Sequence, residues 1–268
     1  MKQHNYEVIP FPKLRSLIID TGRIGRRKHT VHGLLEVDVT ETRRQIRQYR
    51  VKTGRPLSLT AFIVFCLGRA VDENKQMHAY RNWRNQLILF DQVDVSILIE
   101  IAFENRKFPF SHIIRAANKK NLQEIEAEIH SIQNHPEKSE SFQRKQMVQR
   151  LLLLPAFMRD LIYWFTSQSP HLVKKYLGTV AVSAVGMFGE GRSWGIPLTS
   201  YTLNITLGGV TKKPGVAHRK IAVREYLGIT ISVDHDIIDG APAARFAQHF
   251  KKLIERGYGL DFLHEGAC

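Results

Sequence analysis

Apolar positions along this chain repeat at two different periods, and segments of the two kinds take turns. Val31 to Val39 alternates as a strand does, and Thr40 to Thr53 follows as a charged helix, with Thr40 placed to cap it ahead of Glu41. Leu59 to Val71 is an apolar helix. Leu87 to Phe90 and Val93 to Phe103 are rich in β-formers and are expected to pair as strands, with Val95, Ile97, Ile99 and Ile101 on one face. Helical spacing returns over Leu122 to Ile132. Three further strand-like runs, Thr179 to Val185, Thr202 to Leu207 and Leu227 to Val233, precede a helix from about Pro242 to Arg256 that Gly257 can end. In that helix Phe246, Phe250, Leu253 and Ile254 fall on one side.

Between these groups, residues 134–176 change character: a polar stretch leads into Leu151-Leu152-Leu153-Leu154-Pro155 and then Leu161-Ile162-Tyr163-Trp164-Phe165. The segment reads as an insertion or a lid within one domain covering residues 1–268. Pro155, Arg159 and Asp160 interrupt its greasiest part, which falls short of the roughly 20 apolar residues of a spanning helix. An interfacial or partner-binding helix fits there instead, and membrane contact is left open.

Composition narrows the class. A chain of 268 residues with 43% hydrophobic and 24% charged residues is globular, and two cysteines exclude a disulfide scaffold. Cys66 and Cys268 have no partner at metal-ligand spacing, no apolar leader follows Met1, and a reducing, cytoplasmic setting is expected. Charge is the outlier at +14, and residues 1–60 hold thirteen Lys or Arg against five Asp or Glu. Such a surplus suits an anionic partner. Nucleic acid is not expected, since Arg43, Arg44, Arg47, Arg50 and Lys52 have only Tyr49 interleaved.

The sharpest chemistry lies in Val233-Asp234-His235-Asp236-Ile237-Ile238-Asp239-Gly240, where the last strand meets the last helix. Leu227, Ile229, Ile231 and Val233 share a face, so alternation carries His235 onto the apolar side. An imidazole partly desolvated there stays neutral near pH 7 and can act as a general base. A structural role for a hydrogen-bonded histidine fits the spacing equally. Asp239 before Gly240 can turn back to steady the imidazole or hold an arginine. Asp234, Asp236 and Asp239 lack a second histidine or a cysteine cluster, so no metal is expected.

His235-Asp236-Ile237-Ile238-Asp239-Gly240 resembles the His-x-x-x-Asp-Gly motif of the chloramphenicol acetyltransferase fold, and most closely the catalytic acyltransferase domain of 2-oxoacid dehydrogenase complexes. Gly178 to Gly189 is similar to that family's strand and Gly-rich turn, and Leu207-Gly208-Gly209-Val210-Thr211-Lys212-Lys213-Pro214 to its following strand end. Lys13 to Ile18 resembles its opening basic helix and Glu36 to Thr40 its first strand, so the likeness runs from about Phe11 to Leu260. It implies an α/β, two-layer sandwich with a large mixed sheet flanked by helices. It further implies a homotrimer with active sites between subunits, and coenzyme A or acyl-CoA as substrate.

Carried over, His235 is the base that activates a thiol, amine or hydroxyl toward a thioester. Ser183 is the hydroxyl that donates to the tetrahedral oxyanion, a role worth roughly 3–4 kcal/mol in the transition state. Asp239 would fix the histidine loop through a salt bridge with Arg15. Lys212 and Lys213 are candidates for the phosphates of coenzyme A, and an acidic acyl carrier protein is a further partner that would suit the charge.

Three departures qualify the transfer. Asp236 stands where the family usually has arginine, which surrounds His235 with three acids. No lipoyl or peripheral subunit-binding domain, and no lipoylated lysine, is expected on this chain. The stretch at 134–176 is longer and greasier than the family pattern. A non-catalytic trimeric scaffold that kept the fold is therefore the alternative to an acyltransferase.

Overall fold

The computed structural model describes residues 6–12, 15–103, 106–184, 191–217 and 219–260. Lys13, Leu14, Val185, residues 186–189, expected above as a Gly-rich turn, and Cys268 lie outside them, as does the side chain of Ile101. The order of elements is α1 (Arg15–Gly25), β1 (Thr30–Asp38), α2 (Thr40–Thr53), α3 (Leu59–Asp72), β2 (Tyr80–Arg81), β3 (Leu87–Ile88), β4 (Val95–Phe103), β5 (Arg106–Ile114) and α4 (Leu122–Asn134). Four helices follow, α5 (Glu140–Gln143), α6 (Lys145–Leu152), α7 (Ala156–Ser167) and α8 (Pro170–Leu177). Then come β6 (Val180–Ser183), β7 (Leu203–Ala217), β8 (Lys220–Asp234) and α9 (Gly240–Glu255).

Six strands form one mixed sheet in the order β1-β8-β7-β6-β4-β5, with β6 parallel to both its neighbours. Strand alternation sorts the side chains into two faces. Val95, Ile97, Val180, Val182, Leu203, Ile205, Ile229, Ile231 and Val233 are buried in one core with α3, α4 and α9. The helix α3 is apolar nearly all round because it lies inside this layer. Ser58 caps it, accepting from the Ala61 amide at 3.1 Å while its own hydroxyl donates to Glu126 at 2.6 Å. Phe246, Phe250 and Ile254 of α9 are buried as their spacing requires.

The other face carries Ser96, Ser183, Asn204, Thr206, Thr230 and Ser232, yet all but Ser183 are also buried. Part of the cover is the segment 191–194, which lies against the sheet where β7 bulges between Leu207 and Val210. Glycines make that approach possible. A methyl on Gly208 would sit 1.8 Å from the Ser193 carbonyl oxygen, and one on Gly209 2.0 Å from that of Gly191. Gly228, on the adjacent strand, leaves room for the Trp194 indole, whose Nε1 donates to the Leu35 carbonyl at 3.3 Å.

Two expectations change here. Leu87–Ile88 pairs with Tyr80–Arg81 in a separate two-stranded sheet, and the partner of β4 is β5. That strand escaped the sequence pattern because it is a basic edge strand with Pro109 in it, a residue tolerated only where one side of the strand is unpaired. The runs expected at 202–207 and 227–233 are the buried halves of β7 and β8. Both continue to residues 217 and 220 as a hairpin that leaves the core, exposing Val216, Ile221 and Val223.

Residues 136–177 fold as helices clasped to the sheet by Arg115. Its guanidinium donates to Asp94 at 2.9 Å, to Glu140 at 2.7 Å, and to the carbonyls of Lys174 and Lys175 at 2.8 and 2.7 Å. Both ends of the segment are thereby held at one point. Its middle is tied to α1, where Arg159 donates to the buried Asp20 at 2.8 Å and Arg23 pairs with Asp160 at 3.2 Å.

His78, fully buried, joins the small sheet to the large one. Its Nε2 donates to the Phe90 carbonyl at 3.0 Å, which leaves Nδ1 to accept from the Thr179 hydroxyl at 3.0 Å. Burial pushes this imidazole down to about 4, and the nearby Lys174 ammonium adds to the effect. The unfolded chain binds the proton at higher pH than the folded one, so stability contributed by neutral His78 is present above pH 6.5 and is lost as pH falls toward 4. Urea unfolding should show a loss of about 3 kcal/mol over that window that His78→Gln abolishes. An equal pH slope in both proteins would contradict it. Gly208→Ala should destabilise by about 2–4 kcal/mol in the same assay, since only backbone can yield to the methyl. Unchanged stability would show that segment 191–194 is not held against the sheet.

Candidate active site

The turn that carries His235 is built around the Asp234 carboxylate, the last residue of β8 and almost completely buried. An ionised carboxylate there needs a cation. Lys28, just ahead of β1, supplies it, reaching Asp234 Oδ2 at 2.5 Å with its ammonium also 5.8 Å from the centre of the Tyr80 ring. Asp234 Oδ1 accepts from the Asp236 amide at 3.2 Å, and the Asp234 carbonyl accepts from Ile237 and Ile238 at 3.1 and 3.0 Å. The His235 amide donates to the His29 carbonyl at 2.9 Å, and the His29 ring meets Asp236 through Nδ1 at 2.9 Å. Every residue from 234 to 238 is thus pinned, by Asp234 within the turn and by the Lys28-His29 pair outside it.

Two expectations about this turn are corrected. His235 is not buried within the chain. The strand ends at Asp234, residues 235–237 turn outward, and Ile238 takes the buried position instead, leaving His235, Asp236 and Asp239 exposed. The expected Arg15–Asp239 ion pair is not formed either. Arg15 is the exposed first residue of α1, Asp239 is the residue before α9, and the salt bridge that fixes the histidine loop is Lys28–Asp234. The sequence did hold a signal for it: the basic run Arg26-Arg27-Lys28-His29 ends where β1 begins, and strand pairing sets Thr30 opposite Asp234.

Ser183 ends β6, half-buried on the polar face of the sheet and opposite Thr206 of β7. Thr206 is opposite Thr230 of β8, and Thr230 is opposite Leu34 of β1, so the four lie in one cross-strand row. The hydroxyl oxygens of Thr206 and Thr230 and the amide oxygen of Asn204 are buried with no hydrogen-bond partner among the described residues. Buried polar groups are seldom left so. Thr206 and its neighbours were not singled out in the sequence, because a lone threonine in a strand carries no signal until its register is known.

Ser183 and His235 do not meet in one chain. They are separated by two strand spacings and by five residues along β8, which is roughly 20 Å. Lys212 and Lys213 point to opposite sides of β7. Lys212 is exposed, while Lys213 pairs with Glu36 and lies 4.5 Å from the centre of the Tyr226 ring. Glu36 also receives Arg192 at 3.1 Å. The hydrogen bond from Lys213, reinforced by the charges of Arg192 and Lys251, holds its carboxyl below the usual range. These residues border an open groove of about 660 Å³, completed by Leu34, Leu35, Pro214, Trp194 and Tyr226. Among the described residues, no three histidine, cysteine or acidic side chains form a cluster able to hold a metal ion.

Residues 173–260 match the model of the 2-oxoacid dehydrogenases acyltransferase catalytic domain. Among curated relatives, the dihydrolipoyllysine-residue acetyltransferase component of the pyruvate dehydrogenase complex from Rickettsia prowazekii is 24% identical over 93% of this chain and 54% of its own length. The lipoamide acyltransferase component of the branched-chain alpha-keto acid dehydrogenase complex from Bacillus subtilis is 26% identical over 83% and 46%. The chain thus spans about half the length of these relatives. Among solved structures, a probable dihydrolipoamide acetyltransferase from Listeria monocytogenes superposes with a TM-score of 0.68 at 22% identity, covering 94% of this chain and 95% of that one. Dihydrolipoamide acetyltransferase from Azotobacter vinelandii gives 0.71 at 17% identity, covering 97% and 95%. Residues 173–260 thus resemble this catalytic domain in sequence, and nearly the whole chain shares the fold of these solved structures.

Proposed function

We propose that the chain transfers an acyl group between coenzyme A and a thiol, amine or hydroxyl acceptor, with His235 as general base. The observation that carries this reading is the family match over residues 173–260, which spans Ser183, His235 and Asp239 together, with His235 exposed on a turn that Lys28 and His29 hold rigid. Spacing supports it. The Azotobacter vinelandii structure was solved in a study of one serine, one histidine and one asparagine in that enzyme's mechanism. There the serine and histidine are 52 residues apart and the asparagine follows four later, the separations of Ser183, His235 and Asp239 here.

In the reaction, a ring nitrogen of His235 takes the proton of the acceptor as the acceptor attacks the thioester carbonyl. The carbonyl electrons move onto oxygen, where the Ser183 hydroxyl donates a hydrogen bond to the oxyanion. Collapse expels the coenzyme A thiolate, which recovers the proton from the imidazolium. Because Ser183 and His235 are far apart in one chain, the reading requires a second copy to bring its Ser183 to this His235, in a homotrimer with sites at the boundaries. Asp239 and Asp236, exposed beside His235, then face that boundary. The three acids of this turn would disfavour an anionic acceptor.

The groove bordered by Arg192, Lys213 and Lys251 is assigned to the phosphates of coenzyme A, since its cations outnumber Glu36. Leu34 at its edge is three strand spacings from Ser183, roughly 14 Å. The unpartnered Thr230 and Thr206 oxygens lie along the row between them, with that of Asn204 one row to the side, where pantetheine amides would find partners. The buried free thiol of Cys66 suits a reducing compartment such as the cytoplasm.

Release of free coenzyme A from a panel of acyl-CoA thioesters, with dihydrolipoamide and simple amines as acceptors, tests the assignment. His235→Ala should lower acceptor-dependent release by about 10²-fold or more. Release that is equal in both proteins would remove His235 from the mechanism, and no release and no acyl-CoA binding by the native protein would leave the scaffold reading. Lys28→Met should lower turnover as well, by about tenfold or more, because it leaves a buried carboxylate unpaired beneath the turn. Turnover and stability both at native levels in Lys28→Met would show that the pair does not position His235.

A further inference from the structure

The helix α7 presents its most apolar side to solvent. Phe157, Leu161, Trp164 and Phe165 recur at the spacing of one helix face, and all four are exposed, from 46% for Trp164 to 72% for Phe157. The opposite side of the helix holds it to the protein through Arg159 and the buried Asp20. The neighbouring helix α1 also exposes an apolar residue, Ile18 at 62%, and Leu198, 67% exposed, lies by Gly22 of α1. An apolar surface on this scale marks an interaction site.

Charge distinguishes the occupant. Arg23 is tied to Asp160 of α7, and Arg26 and Arg27, both exposed, follow one turn later. Arg15 opens the same helix, also exposed. A second copy meeting this face with its own in a two-fold contact would bring these arginines against each other. A surface with an apolar interior and an anionic boundary satisfies both halves of the patch, and Trp and Phe beside arginines are the residues that seat at such a boundary. No described helix is long and apolar enough to cross a bilayer. We infer that the α1–α7 face docks the protein onto an anionic lipid bilayer, with α7 lying in the plane of the interface. This inference does not depend on the acyl-transfer reading.

Flotation of the full chain with vesicles tests it. Binding to vesicles of phosphatidylcholine and phosphatidylglycerol in equal parts should exceed binding to phosphatidylcholine alone by about tenfold or more and should weaken with salt. The double variant Phe157→Ser/Leu161→Ser should lose the binding while keeping the native sedimentation coefficient, and Arg26→Glu/Arg27→Glu should lose the lipid selectivity. Trp164 fluorescence should be quenched by brominated lipid in the anionic vesicles, with Trp164→Phe removing that quenching. Absence of vesicle binding, binding unchanged in the serine variant, or a change in oligomeric state in that variant would each overturn the inference. The last outcome would make the face a contact between subunits.

Discussion

A carboxylate is buried at the end of a central strand, and one lysine answers it. Asp234 closes β8 with its side chain out of reach of water, and Lys28 meets it from the residues just before β1. Those strands are neighbours in the sheet, so the ion pair, the strand register and the direction of the following turn form one arrangement. From it hang the Ile237 and Ile238 amides, the start of α9, and the outward projection of His235. An ion pair of this kind adds little net stability, but losing one partner is costly. Its effect here is to allow a single conformation of the turn.

The second constraint is the polar face of the sheet. A central sheet between packed layers is normally apolar on both sides, and here one side carries serine, threonine and asparagine, among which the Asn204, Thr206 and Thr230 oxygens lack partners among the described residues. The glycines at 208, 209 and 228 let segment 191–194 lie on that face and bring Arg192 and Trp194 to the groove edge. Ser183 stands at one end of the row and the groove at the other, while His235 projects from a different margin of the same sheet. Read as an acyltransferase, the single chain carries the two halves of its chemistry in separate places, and symmetry is what reunites them.

Much of this was legible in the sequence. Thr40–Thr53 and Leu59–Asp72 were visible as helices because their spacing is local, and the last strand and helix were visible because Phe246, Phe250 and Ile254 repeat on one side. The motif around His235 pointed to the turn. What was not legible depends on pairing. The edge strand β5 has Phe108 and Phe110 at alternate positions, but its basic start and Pro109 hide the pattern. Lys28 and Thr206 acquire meaning only when β1 and β6 are placed beside β8 and β7. Alternation carried His235 inward, but the strand stops one residue earlier, and a one-residue difference exchanges inside for outside. Residues 134–176 read in the sequence as an insertion or a lid, whereas the clasp of both ends of the helical segment by Arg115 is a fact of three dimensions.

The claim on which the account turns is that Ser183 of one copy serves His235 of another. Inactive Ser183→Ala and inactive His235→Ala proteins, unfolded together and refolded as mixed oligomers, test it by their acceptor-dependent release of coenzyme A. One of the two junctions between unlike chains in each mixed trimer would regain an intact pair, and the refolded mixture as a whole should recover about a quarter of native turnover when the chains combine at random. Mixed oligomers that form but remain as inactive as either parent would contradict it.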